Sequence, residues 1–282
     1  MNDPVILHQW HVVGIDEELK AGAVKATRLL DRRLGLKRDA GGALSAECDD
    51  GHPLPLLARY GVLWTTLGTP ERPLFDIREA DEPDRVNVVT GSVAVRTSAP
   101  RCIENFLDMG HFPFVHTGLL GEEPHTEVKE YDVRIDEEKD EVIATDCRFY
   151  QPRAAAASAG GADIEYIYRV PHPYCAVLYK SCPFDRGRFD VIAMFAQPMS
   201  EEHTFAHTLM SVVDDTSSAT DIRHFQLSIF GQDKPILENQ LPRRLPLDPR
   251  AETPIRADRS SIFYRRWLRA KNVAYGTLAQ AG

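Results

Sequence analysis

From about residue 125 to 215 the chain is a succession of strand-length segments with short breaks. "TEVKEYDVRID", "DEVIATDCRFYQP", "ADIEYIYRVPHPYCAVLYKSC", "RFDVIAMFAQP" and "HTFAHTLMSVVDD" are separated by "DEEKD", "AAAASAGGA", "FDRG" and "MSEE". Breaks of this length leave no room for crossover helices, so successive strands must pair antiparallel. The block therefore predicts one antiparallel sheet of five strands. After it, "SSATDIRHFQLSIFGQDKPILENQL" predicts a long helix, because Ile222, Phe225, Ile229 and Phe230 recur at helical spacing. Pro235 predicts a kink or break in that helix, since proline cannot donate to the preceding turn. "RSSIFYRRWLRAKNV" predicts a second amphipathic helix. Upstream, "WHVVGIDEELKAGAVKATRLLDRRLGLKRDAGGALSAEC" alternates apolar runs with turn signals and predicts several short strands. "YGVLWTTLG" predicts another strand, ending at Gly68, and "ERPLFDIREADEPD" a surface connection. Ser98 is placed to cap a helix that opens "TSAPRCIENFLDMGHFPFVH". The class expected is α+β: an antiparallel sheet packed by helices, preceded by a small β region.

Composition narrows the partners. The 282 residues suit one large domain, and the net charge of -9 disfavours a nucleic acid, whose phosphates need a concentrated positive surface. No run of about 18 apolar residues exists to span a membrane. The opening "MNDPVILHQW" lacks the basic and apolar regions of a secretory signal. The five cysteines, Cys48, Cys102, Cys147, Cys175 and Cys182, are scattered without C-x-x-C spacing, as expected of reduced thiols in the cytoplasm.

The chemistry concentrates in "ENFLDMGHFPFVH", residues 104 to 116. Asp108 and His111 are three apart and share a helical face. His116 follows five residues later, which leaves it about 140° off that face in a regular α-helix. A wider π-type turn, made plausible by Pro113, removes much of that error. Two neutral imidazoles with one carboxylate are the donor set of non-haem Fe(II) oxygenases, and they also suit zinc. Two part-buried histidines with a capping aspartate have the same spacing, and spacing alone does not separate these readings.

The segment "ENFLDMGHFPFVHTGLLG" closely resembles the iron-site segment of the Rieske non-haem iron oxygenases, in the branch of vanillate and other O- and N-demethylases. The family pattern N-x-x-D-x-x-H-x-x-x-x-H is met by Asn105, Asp108, His111 and His116. The family's third ligand is an aspartate on a late helix, matched by Asp233 in "GQDKPILENQ", where Gln232 replaces the usual Glu. "QWHVVG", "YGVLWTTLG" and the strand pattern also match, so the resemblance covers nearly the whole chain. It implies a helix-grip-like catalytic domain over 76–282 with Fe(2+) on His111, His116 and Asp233. It also implies hydroxylation or N- or O-demethylation of a small aromatic or heteroaromatic substrate by O2. Asp108 would carry the electron path into the site, with Asn105 beside it.

The sequence departs from the family at its start. A Rieske [2Fe-2S] cluster needs two Cys and two His. Here Cys48 is followed by "DDGHPLPLLARYGVLW", with His52 the only histidine and no second cysteine. Residues 1–75 are therefore expected to be the remnant of a Rieske-type β domain without its cluster, as in the Rieske-less subunit type of methylxanthine N-demethylase complexes. The implied partners are an external Rieske or ferredoxin-type reductase and a structural partner subunit, with the family's trimeric ring as default oligomer. Gln226, Ile229 and Phe230 precede Asp233 on its helix and are candidate pocket residues, as are His203 and His207, four apart on a strand. Arg265, Arg266, Arg269 and Lys271 form a candidate docking patch. The alternatives are a non-catalytic supporting subunit of an oxygenase complex, a binder of hydrophobic ligands and a zinc hydrolase.

Overall fold

Seven strands, two more than the sequence suggests, form the central sheet. The computed structural model describes residues 3–279 except 159, 215 and 249, so Asp215, the last residue of the strand block, lies outside the described residues. Seven short strands come first: β1 (His11–Ile15), β2 (Val24–Leu29), β3 (Arg32–Arg38), β4 (Leu44–Cys48), β5 (Pro53–Leu54), β6 (Leu56–Arg59) and β7 (Val62–Thr65). They make two small antiparallel sheets, ordered β1-β7-β6 and β2-β3-β4-β5. The central strands follow: β8 (Val86–Val95), β9 (Asp132–Asp136), β10 (Glu141–Gln151), β11 (Ala162–His172), β12 (Cys175–Ser181), β13 (Phe189–Ser200) and β14 (His203–Val212). Their order is β8-β14-β13-β12-β11-β10-β9, a meander whose last strand is covered by the first.

Two expectations are corrected here. "ADIEYIYRVPHPYCAVLYKSC" is a hairpin rather than one strand. His172 pairs with Cys175 across a two-residue turn at Pro173 and Tyr174, which carries no Gly or Asn signal. The second is β8, hidden from the pattern because Thr90, Gly91 and Ser92 interrupt its apolar run; Gly91 sits at φ 128°, a conformation that favours glycine.

Both faces of the sheet are covered. On one, Phe195, Val177 and Leu209 pack against Val12, Tyr60 and Trp64 of the β1-β7-β6 sheet and its turn, with the Trp64 and Phe195 rings 5.0 Å apart. On the other lie the helices α1 (Pro4–Leu7), α2 (Ala99–Leu107), α3 (Phe112–Val115), α4 (Ala219–Asn239) and α5 (Arg259–Ala270), of which α2, α4 and α5 supply most of the packing. Ser98 caps α2 by accepting from the Arg101 amide, and Ser218 with Asp221 forms a capping box on α4. Contrary to expectation, α4 does not break at Pro235. The ring lies on the exposed face, and the carbonyl it leaves without a donor, on Gly231, is also exposed. Two strand pieces, β15 (Leu245–Pro246) and β16 (Thr277–Leu278), pair beside α2. No described helix is long and apolar enough to cross a membrane.

Of the buried histidines, burial keeps His11, His172 and His207 neutral. Desolvation lowers His11 to a pKa of about 4, His207 to about 3, and His172 well below its ordinary value. The unfolded chain takes up protons near pH 6.5 that the fold refuses. Their contribution to stability is therefore whole above that pH and is lost as pH falls toward 4, by about 3 kcal/mol each for His11 and His207. Chemical denaturation of the metal-free protein at pH 7, 6, 5 and 4 should show this decline. A flat profile across that window would contradict it.

Candidate metal centre

The loop after α2 builds the first half of the site. The helix ends at Leu107, and Asp108 is extended at φ -80° and ψ 121°. The chain re-enters a single helical turn at His111, which precedes α3. The π-type turn expected from the spacing is thus a break and a restart. Asp108 stabilises the break with both carboxylate oxygens: Oδ1 accepts from the Gly110 amide at 2.7 Å, and Oδ2 accepts from His111 Nδ1 at 3.0 Å. Gly110 is tight here, since a Cβ would come within 3.2 Å of Asp108 Oδ1.

The second half comes from α4, which crosses beneath this loop. Gln232 Oε1 accepts from His116 Nδ1 at 2.8 Å, and Asp233 Oδ1 stands 3.1 Å from His116 Nε2 and 3.3 Å from His111 Nε2. The two Nε2 atoms are themselves 3.1 Å apart. These partners assign the tautomers. Each Nδ1 faces an acceptor and carries the hydrogen, so each neutral imidazole turns a bare lone pair toward Asp233. Three electron-rich atoms then face one another in a buried space, an arrangement that is repulsive unless a cation lies between them. Among the described residues His111, His116 and Asp233 form the one group of three or more His, Cys, Asp or Glu able to converge on a metal, with all three ligand atoms within 4.8 Å of one another. Their chemistry, two imidazoles and a carboxylate, fits ferrous iron.

A proton answers the same repulsion in part. Burial opposes charge on His111, but Asp108 and Asp233 outweigh it and hold its pKa up to about 9. Burial likewise opposes charge on Asp233, yet the two histidines leave its carboxyl below the usual carboxylate range.

Gln232 has a role that the sequence did not disclose beyond its replacing a glutamate. It orients His116 and fixes which nitrogen is free. A Gln232→Leu substitution should weaken Fe(II) binding about 10- to 100-fold, whereas Gln232→Glu should preserve it. Metal titration of the three proteins checks this; equal affinities would show that His116 needs no such partner. Asn105, on the last turn of α2, reaches Asp233 Oδ1 from Nδ2 only at 3.5 Å, a long contact.

Two cavities flank the centre. An interior one of about 50 Å³ lies between α4 and the central sheet, and Gln226 and Ile229 line it. It begins one helical turn from Asp233, at Ile229. It also meets Leu120, whose amide donates to the His116 carbonyl at 3.0 Å. Phe184, 48% exposed, stands at its rim. Phe230 is instead packed into the core. His203 and His207 are not brought here. His207 lies in the sheet body, held by Ser92 at 3.0 Å and Gln197 at 3.1 Å, and His203 is exposed at the start of β14, bonded to Ser200. Sharing a strand face did not reveal which face it was. Lys180 and Asp190, which line the same cavity, were missed. The signal was the alternation that sets Lys180 on one face with Ala176 and Leu178.

The second cavity is an outer groove of about 250 Å³, lined by Asp108, His111, Ile236, Leu247, Arg266 and Arg269 among others. Asp108 is 30% exposed there, so the His111 side of the centre has a polar path to the surface. The expected cationic patch is only half free. Arg265 joins Arg101, Glu104 and Glu252 in a four-membered ion-pair network with Arg101 fully buried. Lys271 pairs with Asp140 and lies over Trp267 at 5.1 Å. Arg266 and Arg269 remain exposed.

Comparison with known proteins places the chain in a family. Residues 95–273, from the end of β8 past α5, match the vanillate O-demethylase oxygenase C-terminal domain. The chain is 45% identical over 272 residues to a probable methylxanthine N7-demethylase, NdmC, of Pseudomonas sp. (strain TJI-51), covering 96% of each protein. It is 26% identical to the methylxanthine N1-demethylase NdmA of Pseudomonas putida, over 94% of this chain and 76% of that protein. The solved structure of Pseudomonas putida CBB5 NdmA with caffeine superposes with a TM-score of 0.76 at 21% identity, covering 95% of this chain and 92% of that one. The chain belongs to the vanillate O-demethylase oxygenase C-terminal domain family and is an oxygenase component of the Rieske non-haem iron oxygenase type.

Proposed function

We propose that this chain is an N-demethylase component for a methylxanthine-class heterocycle, that it holds one Fe(II) on His111, His116 and Asp233, and that its electrons come from a separate Rieske-containing protein. The observation that carries the iron site is the convergence of two tautomer-locked Nε2 atoms on one carboxylate oxygen. The substrate class follows from similarity to the methylxanthine demethylases. Bound iron would supply dioxygen activation: one oxygen atom enters a methyl C–H bond, the other leaves as water with two electrons and two protons, and the N-hydroxymethyl product breaks its N–C bond to give N–H and formaldehyde.

The protein's own residues do the positioning. Gln232 and Asp108 keep the Nδ1 protons in place, so that both imidazoles remain ligands while Asp233 supplies the balancing negative charge. Asn105 lends the same carboxylate oxygen, Asp233 Oδ1, a long polar contact from α2. The apolar walls of the interior cavity hold the ring and exclude water, with Gln226 as a polar orienting group. Asp108 is the entry point for electrons. It touches a ligand histidine and also opens into the outer groove, where exposed Arg266 and Arg269 suit an acidic redox protein. Residues 1–75 are what remains of a Rieske-type β domain, 76–282 are the catalytic domain, and a ring of three chains in the cytoplasm is the working assembly. A second, structural subunit completes the complex.

The test is turnover. Fe(II)-loaded protein, a Rieske-containing reductase, reduced nicotinamide and 7-methylxanthine should yield one formaldehyde for each O2 consumed. If O2 is not consumed above the rate of the reductase alone, the catalytic reading fails.

A further inference from the structure

The interior cavity contains two charged groups that the metal centre does not use. Lys180 and Asp190 are neighbours across β12 and β13, each only 4% exposed, and both line the cavity opposite α4. Most of the remaining lining is apolar, including Ile192, Met210 and Ile229, with Gln226, Asp214 and Tyr166 the other polar members. Buried charges are costly unless each is fully paired, and these two are incompletely paired. The Lys180 ammonium has three donors and gives one to the Ala154 carbonyl. Asp190 Oδ1 accepts from the Val213 amide at 2.8 Å, and the Cys182 thiol is a weak further donor to this carboxylate. Among the described residues no ion pair joins the two side chains. Burial pushes the Lys180 ammonium down to about 8, only partly offset by Asp190, and pushes the Asp190 carboxyl up. The cavity therefore presents spare donors beside a spare acceptor.

We infer that Lys180 and Asp190 are specificity residues that read a lactam edge of the substrate ring, Lys180 donating to a ring carbonyl oxygen and Asp190 accepting from the adjacent unmethylated ring N–H. The inference rests on the substrate class proposed above and narrows it. A xanthine carries such edges on its six-membered ring, where a carbonyl stands beside a nitrogen that is either N–H or N–CH3. A methyl on that nitrogen would leave the Asp190 carboxylate desolvated and unpaired, which selects against the fully methylated ring. Entry of two rings into a cavity of about 50 Å³ requires the lining side chains Phe184 and Phe225 to move aside.

Equilibrium binding to the Fe(II)-loaded protein, without reductase, tests this apart from turnover. The probes are 7-methylxanthine, whose six-membered ring has both N–H groups, and caffeine, whose ring nitrogens there are methylated. The wild-type protein should bind 7-methylxanthine more tightly than caffeine by about tenfold or more. Lys180→Met should weaken 7-methylxanthine by about tenfold or more. Asp190→Asn can keep an oxygen toward Val213, but it then turns an NH2 toward the ligand N–H, so the preference over caffeine should vanish. Equal binding of the two probes by the wild-type protein overturns the inference without any variant. So does a folded Asp190→Asn protein that keeps the preference, or a folded Lys180→Met protein of unchanged affinity. Binding of neither probe rejects the methylxanthine reading itself, and this inference with it.

Discussion

An Asp233→Asn protein is expected to fold, to bind Fe(II) more than about 100-fold more weakly than the parent, and to release no formaldehyde. The loss should exceed the roughly 10- to 100-fold typical of an outer hydrogen-bonding partner if, as proposed, the carboxylate is itself a ligand. The substitution keeps the volume of a side chain that is only 7% exposed, so no cavity opens in α4. What it removes is the negative charge on which both Nε2 atoms converge. With that charge gone, the two imidazoles alone must hold a divalent ion in a buried site, against its desolvation. The metal-free protein gives a second reading. His111 loses one of the two carboxylates that hold its pKa up to about 9, so that pKa should fall. Its folded value lies above the ordinary 6.5, so its stabilising contribution is whole below pH 6.5 and is lost as pH rises through about 9. In the metal-free variant that loss should move to lower pH. Iron content equal to the parent's would show that Asp233 is not a ligand.

Asp108→Asn should have the second largest effect, through electron delivery. Both oxygens of Asp108 are engaged, one by the Gly110 amide and one by His111 Nδ1. An asparagine has one oxygen, so one of these donors meets an NH2 instead. If His111 keeps the oxygen, the iron site survives while the carboxylate facing the groove is gone. Protein-fed turnover should fall by on the order of a hundredfold. Reduction of the bound iron by dithionite, after its oxidation to Fe(III), separates the roles, because a small reductant needs no docking surface. The account expects dithionite to reduce parent and variant at the same rate and the Rieske donor to reduce only the parent efficiently. Equal slowing by both reductants, or loss of the metal, would make Asp108 a support for His111 and nothing more.

Local spacing made part of this molecule legible. Hairpin-length breaks between β-rich segments disclosed the antiparallel sheet, and Ser98 announced the start of α2. Helical spacing at Ile222, Ile229 and Phe230 disclosed α4. The errors arose where the deciding interaction lies far off in sequence. The turn at Pro173 is set by the pairing of β11 with β12 and not by its own residues. Pro235 is tolerated because tertiary packing holds α4 while its ring faces water. The spacing of His203 and His207 does not say which face either takes; the fold leaves His203 exposed and holds His207 between Ser92 and Gln197, away from the cavity. Asp108, His111 and His116 were visible as a motif. That Gln232, 116 residues after His116, orients that ring is a fact of the fold, and no property of either segment contains it.

The central claim is a mononuclear iron centre in a chain without a cluster of its own. Iron and acid-labile sulfide should be measured together on anaerobically purified protein. The account predicts about one iron per chain and no sulfide. Iron accompanied by sulfide would contradict the reading of residues 1–75 as a cluster-free remnant, and no iron even after Fe(II) is added back would contradict the centre itself.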